Sequence, residues 1–448
     1  MAYVGSTDKM RKEGNKVEDS RYSKIGKVYN GFSTFQLKSV LIKNDAGDWG
    51  TEPNENAVGI IRSTNFNNNG KLDLSDIAYR TLSPQKLEEK RLSSSDILVE
   101  RSGGSDTQPV GRVGYVTDEI TDKKLAFANF IQRISLDETV DAKFVYYCLQ
   151  QMYEMGITAS MQFQTTGIRN LDWKFYLKTY LPKPTKEDQT TIANILSKVD
   201  ETIASVQNSI AAAERLKKSL MQNLLTGKMK PDGTFRTPDE FYIDEKFGKV
   251  PIGWEVKRIK DFGEIQTGKT PPTDEPEVFS DKENGFMFIT PGDLDVAKYI
   301  EETERYVSEK GIRYSYVLPK GSVCEVCIGS TIGKIGITTA KCCSNQQITS
   351  VIVNNEHDAE YLYYAMLSRR EHFKSVAGIN ATPQINKSGY SKYRVLCPKD
   401  KLEQIAIAKG ISSVDKSINE QKQKIKYLKR LKKSLMQNLL TGKVKIQK

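Results

Sequence analysis

The sequence predicts a mixed α/β (α+β) protein in which two similar, sheet-rich domains are each followed by a long amphipathic helix. Three observations predict this fold class: a duplicated helical segment, an apolar stripe along each copy, and short β-rich runs separated by polar turns. The duplication indicates the domain order, and the runs and turns indicate what the domains contain.

The duplicated segment is RLKKSLMQNLLTGK, which occurs at 215–228 and, identical at all fourteen positions, at 430–443. The copies lie 215 residues apart, close to half of the 448-residue chain. Continuing the same offset toward the N-terminus pairs Gln189 with Gln404. The chain therefore predicts a pseudo-twofold internal repeat, with the order domain, helix, domain, helix.

An apolar stripe marks each copy as one long helix. Between residues 192 and 224 the apolar positions recur in steps of three and four, as in an amphipathic or coiled-coil helix. Thr185 with Asp188 gives an N-cap signal, and Gly227 stands where a C-terminal cap is expected. Each helix could pack only on its own domain, but two long, one-sided helices favour packing on each other. The residues predicted to pair the helices are Ile192, Val199, Ile203, Ile210, Leu216, Leu220, Ile407, Val414, Ile418, Ile425, Leu431 and Leu435.

The two domains share weaker similarities that point to a common scaffold. Short runs such as VGIIRSTNF and ITSVIVNN read as strands, and clusters such as NFNNNGK read as turns. One clear helix follows Asp141 in the first domain and Asp358 in the second. Gly111–Gly114 (GRVG) also resembles Gly333–Gly336 (GKIG), whereas most other loop sequence differs between the domains.

Composition sets limits on location and partners. Lys and Arg total 67 against 56 Asp and Glu, a net charge of +11, which suits phosphate neutralisation but also many ordinary cytosolic proteins. No stretch approaches the roughly 18 consecutive apolar residues of a membrane span, and the polar N-terminus lacks the apolar core of a signal peptide. We therefore expect a cytoplasmic protein with no membrane partner.

The six cysteines raise the question of zinc. Cys324 and Cys327 form a CxxC, and the adjacent pair Cys342–Cys343 follows. A zinc ribbon needs two CxxC knuckles, and if GSVCEVCIG is a strand, residues three apart face opposite sides of the sheet. Free, buried thiols are therefore favoured over a zinc site, and we expect no metal and no cofactor.

One motif argues for an enzyme. Gly263–Thr270 satisfies the P-loop pattern GxxxxGK[ST], in which backbone amides and the start of a helix cradle phosphates. Pro271 and Pro272 follow at once, remove two amide donors and disfavour a helix there. A surface loop near DNA is the favoured interpretation and an ATPase the alternative. Neither a methyltransferase signature nor a nucleophile–base pair can be argued, so no catalytic residue is predicted.

Polar loops containing glycine are the candidate DNA contacts. Arg, Lys, Asn, Gln, Ser and Thr carry donors and acceptors that match base edges, and the alternative for each residue is a solvated loop. In the first domain the candidates are Arg62, Ser63, Thr64, Asn65, Arg101, Ser102, Gly103, Gln164, Thr166, Arg169 and Asn170. In the second they are Lys269, Thr290, Asp293, Ser330, Thr331, Lys334, Gln346, Gln347, Thr382 and Gln384.

Three details support a family resemblance. Trp254 lies in VPIGWEVKRIKDFGEIQTGKTP, which is similar to the usual opening of a target-recognition domain. GIRNLDW at 167–173 and the Pro-(x)n-Gln-x-x-Ile approach to each helix also fit. With the repeat arrangement, the chain from about residue 28 onward resembles the specificity (S) subunit of a type I restriction-modification enzyme. The first domain lacks a clear match to the Trp254 opening.

The resemblance implies a non-catalytic DNA reader with two target-recognition domains, each reading one half of a bipartite, asymmetric site. It implies that the two helices pair antiparallel as a coiled-coil spacer. The partners would be double-stranded DNA and two methylation (M) subunits, with cleavage and translocation (R) subunits an open question. The main alternative is a structural coiled-coil scaffold, which would not need loops that diverge between the domains. The expected organisation is a polar tail at 1–27, recognition domains at 28–184 and 231–398, and helices at 185–230 and 399–448, the last with a basic tail.

Overall fold

The computed structural model describes residues 22–105, 108–165, 167–378 and 383–446. The chain divides into two compact units, and each contains parts of both long helices. Unit 1 falls within Met1–Val206 and Lys424–Lys448, and unit 2 is Gln207–Gln423.

Unit 1 is a mixed α/β structure. Its strands are β1 (Tyr22–Ser23), β2 (Gly26–Lys27), β3 (Ser33–Gln36), β4 (Leu41–Ala46), β5 (Val58–Ile61), β6 (Ala78–Arg80), β7 (Ile97–Glu100), β8 (Ser102–Gly103), β9 (Val113–Tyr115), β10 (Ala126–Phe127), β11 (Ile131–Leu136), β12 (Gln162–Thr165), β13 (Ile168–Leu171) and β14 (Tyr180–Lys183). Its helices are α1 (Pro84–Lys90), α2 (Asp118–Thr121), α3 (Ala142–Glu154), α4 (Trp173–Leu177) and the first part of α5 (Lys186–Leu224), together with the end of the second long helix, Lys401–Leu439.

The central sheet of unit 1 has the strand order β4-β11-β7-β9, with antiparallel neighbours throughout. A second sheet, β10-β5-β6, contains the parallel pair β10–β5, and a third has the order β12-β13-β8. Helix α3 supplies Phe144, Tyr147 and Leu149 to the main core, where they cluster with Ile192 and Met436 from the long helices. The third sheet places Ser102 opposite Asn170.

Unit 2 is also mixed α/β. Its strands are β15 (Phe241–Asp244), β16 (Gly248–Pro251), β17 (Trp254–Arg258), β18 (Gly263–Thr267), β19 (Phe279–Ser280), β20 (Phe286–Ile289), β21 (Tyr299–Ile300), β22 (Arg305–Val307), β23 (Val323–Val326), β24 (Ile335–Thr338), β25 (Cys342–Ser344), β26 (Ile348–Val353) and β27 (Arg394–Pro398). Its helices are α6 (Glu309–Ile312), α7 (Ala359–Ser368), α8 (Arg370–Val376), α9 (Lys387–Lys392) and the first part of α10 (Lys401–Leu439), together with the end of α5.

The main sheet of unit 2 has the order β18-β26-β23-β24-β21, and its first four strands are antiparallel to their neighbours. A second sheet, β19-β22-β20-β25, contains the parallel pair β20–β25. Buried Trp254 begins β17 and donates from its indole nitrogen to Glu403 (3.1 Å). The mixed α/β class expected from the sequence is thus confirmed in both units.

The matched glutamines Gln189 and Gln404 connect each long helix to the capped helix of its unit. Gln189 accepts from the Asp141 amide (2.7 Å) and donates to the Pro184 carbonyl (3.1 Å). Gln404 accepts from the Asp358 amide (2.9 Å) and donates to the Pro398 carbonyl (2.9 Å). The Pro-(x)n-Gln pattern therefore has a physical reason. The buried side-chain amide of the glutamine binds one backbone amide and one backbone carbonyl at the start of the long helix.

The cap residues Asp141 and Asp358 hold the first turns of α3 and α7. The Asp141 carboxylate accepts from the Phe144 amide (2.9 Å), and the Asp358 carboxylate accepts from the Tyr361 amide (2.8 Å). Each carboxylate accepts from a backbone amide in the first turn that has no acceptor within its own helix, as an N-cap residue does.

Within unit 2 the two long helices run antiparallel. Glu214 contacts Lys422, Lys217 contacts Asp415, and Leu224 lies beside Gly410. The residue numbers therefore increase along α5 while those of the contacting residues decrease along α10. Both helices are followed by a glycine with a left-handed backbone, Gly227 (φ 67°) and Gly442 (φ 70°), as their sequence predicts. Among the described residues, no helix is long and apolar enough to cross a membrane.

Candidate nucleic-acid interface

Three of the predicted polar segments meet in unit 1. The Ser63 hydroxyl donates to the Ser102 carbonyl (3.4 Å), and the Ser102 hydroxyl donates to the Asn170 side-chain oxygen (2.7 Å). Strand pairing places Arg169 opposite Gly103. The segments at 62–65, 101–103 and 164–170, distant in sequence, therefore form one surface.

A buried ion pair lies beneath this surface. Arg112 donates to both carboxylate oxygens of Glu100, at 2.8 and 2.7 Å, and Glu100 is 0 % exposed. The same guanidinium donates to the carbonyls of Ser63 (2.9 Å) and Phe66, so it fastens the Ser63 segment to the central sheet. Burial raises the pKa of Glu100, and Arg112 acts in the opposite direction. Sequence reasoning noted the Gly-Arg-Val-Gly motif but missed this role of Arg112.

Asn65 is not on the accessible surface. It is 2 % exposed, and its amide nitrogen donates to the carbonyls of Asp73 (2.8 Å) and Asp76 (2.9 Å). Its side-chain oxygen accepts from the Arg62 amide (2.9 Å). The prediction of Asn65 as a DNA contact is therefore corrected: the residue shapes the loop, because its hydrogen-bonding capacity is used inside the chain.

The other candidates of unit 1 differ in how accessible they are. Thr64 and Gln164 are exposed and Arg101 is half-buried, and within the part of the chain that the structure describes the Arg101 side chain has neither a hydrogen bond nor an ion pair. Arg62 forms an ion pair with Asp76 (2.6 Å). Ser102 is buried, and Thr166 lies outside the described residues.

The predicted segments of unit 2 also converge. The Lys269 amide donates to the Ser344 carbonyl (2.9 Å), beside Gln346 and Gln347. The Gln347 side chain donates to the Ile328 carbonyl (3.4 Å), and Ile328 forms a β-bridge with Gln384. These contacts join the segments at 269, 328–334, 346–347 and 384. Among them Lys269, Ser330, Gln346 and Gln384 are exposed and Thr331 is half-buried, while Thr382 lies outside the described residues.

Thr290 and Asp293 are committed to internal contacts. One Asp293 oxygen accepts from the Thr290 amide (2.7 Å) and hydroxyl (2.8 Å), and the other accepts from the Glu304 amide (2.9 Å). Asp293 thus shapes its loop as Asn65 does in unit 1, and its prediction as a base contact is corrected for the same reason. Lys334 donates to the Pro291 carbonyl of this loop (3.2 Å) and is half-buried.

The P-loop-like segment has the wrong geometry for phosphate. Gly263–Thr267 is strand β18, and the amides of Gly268 and Lys269 donate to the carbonyls of Ile348 and Ser344, both at 2.9 Å. No helix follows directly, since residues 268–278 are irregular. Amides already used in strand pairing cannot cradle a phosphate, which favours the surface-loop interpretation.

The cysteines are all free and buried. Burial raises the pKa of the Cys324 thiol to about 12 and also raises that of Cys327. In the ranges that the structure describes, no group of three His, Cys, Asp or Glu side chains is placed to hold a metal ion.

The residues predicted to pair the helices differ in burial. Ile192 and Ile203 of unit 1 and Ile210, Ile407 and Ile418 of unit 2 are buried. Half-buried positions are Val199, Ile425, Leu431 and Leu435 in unit 1 and Leu220 and Val414 in unit 2. Leu216 is 51 % exposed, so its prediction is corrected: periodicity placed it on the stripe, but the structure leaves about half of its surface uncovered. Leu196, Met436, Leu224 and Ile411 are also buried, although they were not among the residues predicted to pair the helices.

The identical repeat supplies the same partly buried contact to each unit. In unit 1, Lys432 pairs with Asp200 (2.7 Å), which also accepts from the Tyr147 hydroxyl (2.9 Å).

In unit 2, Lys217 pairs with Asp415 (2.5 Å), which accepts from the Tyr364 hydroxyl (2.7 Å). Lys217 and Lys432 are matched positions of the repeat, so each copy joins a recognition domain to the opposite helix by the same Lys–Asp–Tyr triad.

The family comparison settles the class of protein. The profile of the type I restriction modification DNA specificity domain matches residues 29–215 and 251–430. The chain belongs to this family. The specificity family is the one that the sequence resembles, and the match favours DNA-sequence specificity over a purely structural scaffold.

Two curated specificity subunits and one solved structure show how far the similarity extends. The chain is 31 % identical over 200 residues to the HindI specificity subunit of Haemophilus influenzae, covering 44 % of this chain but only 42 % of that subunit. It is 26 % identical over 298 residues to the MjaVIII specificity subunit of Methanocaldococcus jannaschii, covering 64 % and 67 %. The S subunit of a type I restriction-modification system from M. genitalium shares the fold, with a TM-score of 0.59 at 15 % identity over 94 % and 99 % of the chains.

Proposed function

We propose that the chain reads a bipartite, asymmetric DNA site, one half with each unit, as the specificity subunit of a type I restriction-modification complex. The observation that carries this proposal is the convergence, in each unit, of glycine-containing polar segments from distant parts of the chain into one surface. Both surfaces are formed by polar segments that are distant in sequence, but their exposed side chains differ. That combination suits two readers of different sequences.

The proposed readers are the accessible residues of each surface. In unit 1 we propose Arg62, Ser63, Thr64, Arg101, Gly103, Gln164, Arg169 and Asn170, with Ser102 as a buried support. In unit 2 we propose Lys269, Ser330, Thr331, Lys334, Gln346, Gln347 and Gln384. Arg101 is the sharpest candidate of unit 1, because its guanidinium has no internal partner among the described residues and guanine offers two acceptors to such a fork.

The long helices are proposed to form an antiparallel coiled-coil spacer within a pseudo-twofold chain. The antiparallel contacts inside unit 2 and the matched Lys–Asp–Tyr triads support this proposal. The domain boundaries that we propose are those expected from the sequence, with recognition domains at 28–184 and 231–398 and helices at 185–230 and 399–448.

The proposed partners are double-stranded DNA and two methylation subunits, and the chain itself is proposed to have no catalytic residue and to act in the cytoplasm. The exposed apolar side chains on the long helices, such as Leu216 (51 %) and Tyr427 (65 %), support a protein partner there. Whether R subunits join the complex is a matter for purification with all partners present.

The test is selection of bound duplexes from a randomised DNA library by the full chain together with its methylation subunits. Two conserved half-sites separated by a fixed number of arbitrary base pairs are expected. A variant combining Arg101→Ala and Gln164→Ala should lose one half-site only, and Lys269→Ala with Gln346→Ala the other. Loss of both half-sites together from either variant, or an unselective pool from the wild type, would contradict the proposal.

A further inference from the structure

Three large apolar side chains are exposed on the polar surface of unit 1, which we call the first recognition surface. Phe163 (49 % exposed) lies on β12, Ile168 (41 %) lies on β13, and Phe130 (41 %) directly precedes β11. Together these three residues are called the apolar row. One exposed apolar residue on a folded protein is ordinary, but several on a single surface indicate a partner that covers them.

The hairpin of β12 and β13 holds two members of the row beside proposed DNA contacts. Strand pairing places Phe163 opposite Asn170, and Ile168 lies two residues before Asn170 on the same strand. Since alternate residues of a strand share a face, all three side chains leave the hairpin on one face. Gln164 and Arg169 directly follow Phe163 and Ile168 in sequence. The hairpin therefore carries apolar and polar candidates side by side.

Phe130 lies at the other end of the same row. Its carbonyl accepts from the amides of Arg101 (2.9 Å) and Ser102 (3.2 Å). Ser102 pairs with Asn170, and Asn170 pairs with Phe163. Neighbouring strands lie about 4.8 Å apart, so three such steps place the backbones of Phe130 and Phe163 about 14 Å from each other. The row therefore extends over about the length of four base pairs at about 3.4 Å each.

Unit 2 has a proposed DNA contact at the place of Phe130. Phe130 is the third residue of the turn 128–131, which a backbone hydrogen bond of 2.9 Å closes, and Gln347 is the third residue of the turn 345–348, closed by one of 3.2 Å. Each turn leads into the strand, β11 or β26, that pairs with β7 or β23. The carbonyl of each residue accepts from the first amide after that neighbouring strand, at 2.9 and 2.8 Å. Phe130 is thus the apolar counterpart of Gln347.

The charge and the chemistry around the row favour DNA as its partner. The segments 101–105, 128–131 and 162–171, which contain the row and its strand neighbours, have two arginines and no acidic residue. A surface of that charge attracts phosphates. Among the groups that bases present in the major groove, the apolar one is the 5-methyl group of thymine, and phenylalanine is a side chain that contacts it. Thymine is therefore the base that fits the row.

We propose that Phe130, Phe163 and Ile168 are specificity-determining residues that bind the 5-methyl group of thymine in the first half-site. This inference rests on the proposed DNA-reading function and adds a second kind of recognition to it. The polar side chains of the surface distinguish bases by hydrogen bonds, whereas the row distinguishes thymine by an apolar group that the other three bases lack.

The test compares thymine with deoxyuridine, which lacks only the 5-methyl group. A duplex with both selected half-sites is titrated with the full chain together with its methylation subunits, and each thymine of the first half-site, on either strand, is replaced in turn. Burial of one methyl group contributes about fourfold in affinity, so at least one replacement should weaken binding by the wild type about fourfold.

The variant that combines Phe130→Gln, Phe163→Ser and Ile168→Thr should bind the thymine and deoxyuridine duplexes equally, because the methyl group then has no apolar contact. Phe130→Gln copies the matched Gln347, and Ile168→Thr keeps the branched Cβ of the strand residue. The second half-site should be retained, which shows that the chain is folded and bound. If the triple variant does not fold, the three single variants are titrated in the same way, and at least one should reduce the difference between the duplexes.

The matched control is Ile42→Ala, which removes an exposed apolar side chain (66 %) away from the row. Ile42 lies on β4 between the residues that pair with Ser135 and Leu136 at the end of β11, whereas Phe130 precedes the start of that strand. Ile42→Ala should keep the wild-type difference between thymine and deoxyuridine.

Three results would overturn the inference: a first half-site without thymine, equal binding of both duplexes by the wild type, or an unchanged difference in the triple variant. Loss of the methylation subunits from the purified triple variant would assign the row to a protein interface instead. An unselective DNA pool with the wild type contradicts the proposed function itself, whereas conserved half-sites that do not depend on the methyl group contradict only the role given to the row.

Discussion

Arg112 donates to both carboxylate oxygens of the buried Glu100, whereas the matched Lys334 pairs with no carboxylate among the residues that the structure describes. The strand register explains the difference, because the place of Glu100 is taken in unit 2 by buried Val326. Lys334 instead donates to the single carbonyl of Pro291 (3.2 Å). At this matched position Arg112 therefore contributes an ion pair in unit 1, whereas Lys334 contributes a single hydrogen bond in unit 2.

Arg112→Met should destabilise unit 1 strongly. Removing one partner of a buried pair leaves an uncompensated charge, at a cost of about 3–5 kcal/mol. Hydrogen exchange read separately over the two units measures this loss. The matched control is Lys334→Met, which removes one hydrogen bond and should cost about 1 kcal/mol in unit 2. Equal losses from the two variants would show that the ion pair does not hold the loop.

The triad around Asp415 should show pairwise coupling. Lys217 and Asp415 are partly buried and 2.5 Å apart, so a double-mutant cycle with Lys217→Met and Asp415→Asn should give a coupling of about 0.5–3 kcal/mol in chemical unfolding. Lys218→Met, at the exposed neighbouring position, should change stability by less than about 0.5 kcal/mol. A coupling free energy of zero between Lys217 and Asp415 would count against a structural role of the repeated lysine.

Arg101→Ala should weaken selection at one base of one half-site. Loss of a two-point contact to a base costs about 1–3 kcal/mol, and loss of a phosphate contact would instead weaken all sequences and reduce the salt slope by about one. Binding titrations at several salt concentrations distinguish these outcomes. Lys123→Ala removes an exposed positive charge outside the candidate segments and should change neither quantity. Wild-type affinity and preference in Arg101→Ala would exclude this residue as a reader.

Lys269→Ala should leave nucleotide affinity unchanged. The amides that a P-loop would present to phosphate are used here in strand pairing, so no ATP site is expected at this lysine. Calorimetric titration with Mg²⁺-ATP is the measurement, and Gln346→Ala is a matched control on the same surface. ATP binding that only Lys269→Ala abolishes would revive the enzyme hypothesis.

Lengthening both helices should lengthen the preferred spacer. Four residues inserted after Ala213 and four after Lys422, which lies beside Glu214, add about 6 Å, or one to two base pairs at about 3.4 Å each. Library selection should return the same half-sites at a wider separation. Two-residue insertions at the same places turn the stripe by about 200° and should abolish pairing. Unchanged spacing with four residues would rule out a ruler role.

Local sequence patterns predicted the helices but not the construction of the surfaces. The stripe, the cap aspartates and the paired glutamines act over short distances, so their signals can be read directly. Asn65 and Asp293 have the side-chain chemistry of base readers, yet the loop uses that chemistry internally. Arg112 lies 49 residues from Ser63 in sequence, and only the packed sheet brings its guanidinium to that carbonyl. Leu216 illustrates the same difficulty, because periodicity predicts which face of a helix is apolar but not which residues pack against that face.

Unit 1 is built from two separate parts of the chain, and this determines the order in which the two units can complete folding during translation. The Thr441 carbonyl accepts from the Tyr29 amide (2.9 Å), and Met436, Leu439 and Leu440 complete the core around α3. A ribosome makes the larger part of this unit before unit 2, but those closing residues only after unit 2. Unit 2 has all of its residues by position 423. Unit 1 can therefore complete its core only after unit 2 has been synthesised.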